Sequence, residues 1–174
     1  MEHVILVNER DEETGAMEKM DAHRHGALHR AFSVFVFNTK GEMLLQQRST
    51  HKYHSGGLWT NACCSHPRPG ELTEDAAVRR LQEELGFETR LTKIFQFTYH
   101  ASFENGLTEH EVDHVFFGRY DGDINFNTNE VQDICYRSIE EIESSLQTHP
   151  QKFTAWFHIA FPKMNEWFAA NAKS

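Results

Sequence analysis

Positive charge is what this chain is shortest of: 17 lysines and arginines stand against 26 aspartates and glutamates, a formal net charge of −9 over 174 residues. A surface that tracks phosphates needs a basic stripe, so nucleic acid is excluded as an expected partner. No apolar run approaches the roughly 18 residues of a membrane span, and no apolar targeting segment precedes the polar N-terminus; a cytosolic protein without a membrane partner is expected. Cysteine is scarce. Cys63, Cys64 and Cys135 make an odd number, adjacent cysteines rarely bridge, and nothing else supplies a disulfide framework, so free thiols are expected. Repeats, low-complexity tracts and linkers are absent, and 39% hydrophobic with 25% charged residues is globular composition. One domain over residues 1–174 is expected, as a monomer.

Histidine is abundant, with twelve copies, so spacing alone can separate ligands from bystanders. Taken in order, residues 3–8 read as a strand, 13–15 as a turn and 23–29 as a histidine-rich connector. AFSVFVF at 31–37 is apolar enough for a buried strand, forming a hairpin with 43–48, and 49–57 is a polar loop. Strands are predicted over 94–99, 109–120 and 131–137, with a turn at 104–106, and a helix over 139–146. Residues 154–170 have helical spacing, but Pro162 predicts a kink or two short helices. Strands around one central helix, with more helix late in the chain, indicate an α/β (α+β) fold, a mixed sheet with helices on its faces.

That central helix ends the run WTNACCSHPRPGELTEDAAVRRLQEELG, residues 59–86. Glu74 and Asp75 sit where a first turn favours acids and Gly86 where a helix stops, which predicts a helix over 74–85. Ala77, Val78, Leu81 and Leu85 share its core-facing arc; Arg79, Arg80, Gln82 and Glu83 share the other, with Glu84 on the border. A solvated helix with ordinary i,i+4 pairs is the plain alternative. Yet Ser65, five residues, Glu71, seven residues, then Arg79-Arg80-Leu81-Gln82-Glu83-Glu84-Leu85-Gly86-Phe87 resembles the Nudix box, Gly-x5-Glu-x7-Arg-Glu-U-x-Glu-Glu-x-Gly-U. Ser65 stands for the glycine and Arg80 for a glutamate that Nudix hydrolases use in the metal cluster that cleaves a diphosphate. An arginine there suits gripping a diphosphate through its planar fork rather than helping water attack it.

On a strand, Glu109, Glu111, Asp113 and Val115 point to one face. With His23, His29 and His66, the two carboxylates Glu109 and Glu111 could make a five- or six-coordinate Mn²⁺, Mg²⁺ or Zn²⁺ site, though the ligands come from distant segments. HRAFSVFVFN, LLQQRS, WTNACCSHP, the altered box, TEHEVDH and a late FTAW together resemble the type I isopentenyl-diphosphate isomerases, Nudix-fold enzymes of isoprenoid synthesis, from about residue 19 to 156. The resemblance implies a Nudix fold with an N-terminal extension, residues 1–30, that carries ligand histidines. It implies metal ligands at His23, His29, His66, Glu109 and Glu111. It also implies a catalytic cysteine at Cys64, an acid/base carboxylate at Glu111 assisted by Tyr99, and Trp156 facing the reacting carbon. A second, substrate-borne Mg²⁺ falls to Glu84 and the backbone carbonyl of Cys64. Diphosphate contacts fall to Lys19, Arg48, Lys52 and Arg80, with Ser65 adjacent.

His25 can replace His23 in that set; His23 is preferred because Lys19 sits four residues before it. His51, His54, His110 and His114 are expected to be loop or surface residues or to stand behind the ligands. Cys63 reads as a small buried hydrophobe pointing away from Cys64. The implied reaction moves a double bond between isopentenyl and dimethylallyl diphosphate, and which of Cys64 and Glu111 delivers the first proton stays open. Two other readings compete: a Nudix hydrolase, and a catalytically silent Nudix module that binds a partner.

Overall fold

The computed structural model describes residues 2–171. Its elements are β1 (His3–Val7), β2 (Glu13–Glu18), α1 (Lys19–His25), β3 (His29–Phe37), β4 (Met43–Arg48), β5 (Trp59–Thr60), β6 (Cys63–Ser65), α2 (Thr73–Leu85), β7 (Thr92–Ser102), β8 (Thr108–Arg119), β9 (Val131–Arg137), α3 (Ile139–Thr148) and α4 (Ala155–Asn171). β3 is the hub. Along one edge it pairs in parallel with β8, from His29 opposite Glu111 to Phe37 opposite Arg119. The same strand also meets β1 at His29, β6 from Phe32 to Val34 and β4 at Phe37. β7 extends the sheet beyond β8, and β4 carries β9 and β5. The sheet is mixed, with helices on its faces, as the sequence predicts.

Alternation along β3 decides where a site can form. Phe32, Val34 and Val36 point to one face and join Ala77, Leu81 and Leu85 of α2 in one core. Phe35 and Phe37 point to the other face, under Ile142 of α3 and Phe157 and Met164 of α4. His29 and Ser33 share that second face at the N-terminal end of the strand, and both are buried.

Three local expectations are corrected. Residues 13–15 belong to β2; the chain reverses earlier, where Asn8 N donates to Glu12 O at 3.0 Å and Asp11 takes a left-handed φ of 62°. The connector at 23–29 begins with the last three residues of α1, a seven-residue helix too short to show periodicity, capped by the Glu18 side chain on Asp21 N and stopped by Gly26 at φ 63°. Residues 155–171 form one helix that runs through Pro162, held to the sheet by Phe157, Ala160, Phe161 and Met164.

α2 ends at Gly86, with φ 74°, and a Cβ there would lie 2.4 Å from the carbonyl oxygen of Asn125. Left-handed placement alone costs an L-residue about 1–2 kcal/mol, and the clash with backbone adds to it. Gly86→Ala is expected to lower Tm by roughly 5 °C or more, checked by thermal unfolding.

Candidate active site

Three imidazoles converge on one carboxylate. In α1, His23 lies one turn after Lys19 and is fully buried, whereas His25 is exposed. The Nδ1–H of His23 donates to the Lys19 carbonyl at 2.7 Å, and that of His29 donates to the Ala27 carbonyl at 2.8 Å. A carbonyl can only accept, so both rings carry their proton on Nδ1 and turn Nε2 inward. This is how a metal-binding histidine is oriented by its outer partner. His23 Nε2 is buried without a partner. His29 Nε2 and His66 Nε2 lie 3.2 and 2.9 Å from Oε2 of Glu111.

Ligand atoms of His23, His29, His66 and Glu111 all fall within 4.8 Å of one another, and His23, His54 and Glu109 form a second such group. Inward lone pairs around a carboxylate are acceptors facing acceptors, an arrangement completed by a cation; a divalent ion fits this donor set. With protons alone, the balance falls on His29. Burial by itself would lower its pKa, but the hydrogen bond and charge of Glu111 outweigh burial and raise it. Glu111 is the mirror case, lowered by His29 against the upward push of burial. Burial, then the charges of His29 and His23, drive His66 well below the ordinary histidine range.

Cys64 stands across β3 from Glu111. β6 sets it opposite Ser33, whose Oγ is 3.6 Å from its Sγ. The thiol donates to Asn61 Oδ1 at 3.2 Å and receives the indole N–H of Trp156 at 3.1 Å. Burial, then the nearby Asp113, push its pKa up to about 12, so it is a thiol at neutral pH. Asp113 accepts from Ser33 at 2.8 Å, and burial, then Glu111, hold its own pKa well above the carboxylate range. Tyr99 lies opposite Glu111 in the β7–β8 register, its hydroxyl buried and its pKa raised by burial first and by Glu109 and Glu111 next. Cys64, Glu111, Glu109 and Trp156 all line one pocket of about 30 Å³.

A second cavity of about 90 Å³ shares Arg48, Tyr53, Cys64, Ser65 and His66 with it and is otherwise lined by three cations, Lys19, Lys52 and Arg80, and two acids, Glu2 and Glu130. Two acids neutralise these cations: Lys19 pairs with Glu2 at 2.9 Å, while Lys52 and Arg80 both reach Glu130. Arg80 also donates to Glu84 at 3.1 Å. Glu84 is buried and further accepts from Gln46 at 3.1 Å and from Cys63 at 3.2 Å. Cys63 thus turns away from Cys64, into the α2 side.

A family model for the NUDIX domain matches residues 27–157. The isopentenyl-diphosphate Delta-isomerase of Pectobacterium atrosepticum is 50% identical over 167 residues, covering 96% of this chain and 93% of its own. Isopentenyl-diphosphate Delta-isomerase 2 of Photorhabdus laumondii is 45% identical, covering 95% of this chain and 97% of its own. The chain belongs to the isopentenyl-diphosphate Delta-isomerase family of Nudix proteins. Among solved structures, a Deinococcus radiodurans protein superposes with a TM-score of 0.72 at 25% identity, covering 85% of this chain and 90% of that one.

In this family member Lys19, Arg48, Lys52, Cys64, Ser65, His66, Arg80, Glu109, Glu111 and Trp156 line the two adjoining pockets, whereas His23, His29, Tyr99 and Glu84 line neither and stand behind residues that do. His54, a loop residue, is buried with its Nε2 against Glu109, and with His23 and Glu109 it forms the second possible ligand group. Its ring stacks on Phe103, with centroids 4.5 Å apart. Asn61, Tyr53 and Asp113 were not singled out as site residues. Alternation along β8 put Asp113 on the correct face; nothing local marks Asn61 or Tyr53. Trp156 presents its N–H edge to Cys64, while the Arg48 guanidinium lies 5.1 Å from its ring centre. No helix among the described residues is long and apolar enough to cross a membrane.

Proposed function

We propose that this chain interconverts isopentenyl diphosphate and dimethylallyl diphosphate, with Cys64 and Glu111 addressing the two ends of the allylic unit. The observation that carries this reading is their placement on strands flanking β3, both facing one shielded pocket beside a basic one. In the forward direction a proton adds to the terminal carbon, a tertiary cation forms, and a proton leaves the carbon next to the diphosphate-bearing methylene. One group must give a proton and the other take one. A buried thiol and a buried carboxylate, with Tyr99 beside the carboxylate as a relay, meet that demand.

His23, His29, His66, Glu109 and Glu111 would hold a divalent ion, which as a Lewis acid supplies positive charge that keeps Glu111 ionised. Glu84, with the Cys64 carbonyl, would hold Mg²⁺ brought by the substrate, releasing Arg80 to the diphosphate. Lys19, Arg48, Lys52 and Arg80 bind that anion and thereby orient a small hydrocarbon that offers few contacts of its own. Trp156 stabilises the cation without a lone pair that could capture it. Tyr53 and His54, from one loop, line the pocket beside Cys64, Glu111 and Trp156 and help shield it from water.

Isopentenyl diphosphate incubated with the protein and Mg²⁺ in D₂O is expected to give dimethylallyl diphosphate carrying deuterium, read by NMR. Phosphate release without isomerised product would instead favour a hydrolase. Chelation is expected to abolish turnover. Returning Mn²⁺, Zn²⁺ or Mg²⁺ at 100 times its Kd should restore it and raise unfolding free energy by about 2.7 kcal/mol, measured by denaturant titration.

A further inference from the structure

Outside the two catalytic pockets, one cavity combines an apolar floor with charge of a single sign. It measures about 320 Å³ and lies between β4, β9 and α3, in the range of small-molecule pockets. Leu45, Trp59, Ile142 and Phe153 make its apolar wall, and half-buried Cys135 opens onto it. Arg137, His149 and Lys152 stand around its mouth, all three exposed, with no acid in the lining. Among the described residues neither Arg137 nor Lys152 makes an ion pair within 4 Å; Arg137 donates to the Tyr136 carbonyl at 2.9 Å, and Glu141, which feels its charge, is engaged with Ser138 in capping α3. In a chain of net charge −9, two unpaired cations beside an apolar hollow are complementary to one kind of molecule. The cavity between β7 and α4 lacks this character, since it sets Glu166 against Lys163, and the one beside Ser49 and Gln132 is lined by no Lys, Arg, Asp or Glu.

We infer that this cavity binds a small organic phosphate with a short hydrocarbon tail, the tail against Trp59 and Phe153 and the anion at Arg137 and Lys152. The site is separate from the catalytic one, so its occupant does not compete with the substrate.

Calorimetric titration of the full chain with n-octyl phosphate, below its micelle concentration, tests this. One saturable site is expected, present also in Cys64→Ala and under saturating isopentenyl diphosphate, with slowed iodoacetamide labelling of Cys135. Affinity should fall at least tenfold in the Arg137→Gln/Lys152→Gln double variant, whose turnover stays at the wild-type level. Equal binding of neutral octyl glucoside, or loss of octyl phosphate binding under isopentenyl diphosphate, would overturn the assignment. So would sedimentation with phosphatidylglycerol vesicles that depends on the same two cations, because the rim would then serve a membrane.

Discussion

Cys64→Ala is expected to lower isomerisation turnover by about 10²- to 10⁴-fold, the range that a positioned proton donor or acceptor contributes, with KM changed little. The diphosphate side chains are untouched by the substitution, which is why binding should persist. Loss of the thiol leaves the indole N–H of Trp156 without the partner it has at 3.1 Å, whereas Oδ1 of Asn61 keeps the Thr60 hydroxyl at 2.9 Å. Each buried group left unpaired costs about 1–3 kcal/mol, so the variant should be measured below its own Tm. Cys64→Ser restores a donor and an acceptor at that position but not the thiol. If the serine variant recovers stability and not turnover, chemistry and packing are separated. Near-normal kcat in the alanine variant would remove Cys64 from the mechanism.

Glu111→Gln is expected to do more, because Oε2 of Glu111 meets both His29 and His66. The amide keeps the shape and removes the charge. His29 then loses the interaction that raises its pKa against burial, and the imidazole cluster loses its anionic ligand. Turnover should fall below about 10⁻³ of wild type, since proton transfer and metal retention fail together. Bound metal, counted by elemental analysis, should drop by more than the 10–100-fold that loss of an outer partner costs. Full metal content with lost activity would confine Glu111 to proton transfer; full activity would exclude it from both roles.

Much of the site is legible along the chain because its residues obey short-range rules. Glu109, Glu111 and Asp113 share a face through the two-residue period of a strand, and Cys63 and Cys64 part company by the same rule. The helix of residues 73–85 is visible from its acids, apolar arc and terminal glycine. His54 is not legible: it reaches the site because its loop folds back over β8 and seats its ring on Phe103, a contact between segments far apart in sequence. α1 escapes detection for a different reason, as seven residues hold too few turns to show a period.

By itself the sequence determined the family, the alternation that puts acids on one face of β8, and the residue types able to hold a metal and a diphosphate. Those follow from spacing, which backbone geometry turns directly into direction. The tertiary structure alone decided that His23 rather than His25 faces inward, that His54 joins Glu109, and that Glu84 is held by Arg80, Gln46 and Cys63. These depend on which strands neighbour β3 and how α1 and α2 lie on them, and burial of apolar faces fixes that arrangement without leaving a periodic mark on the residues it brings together.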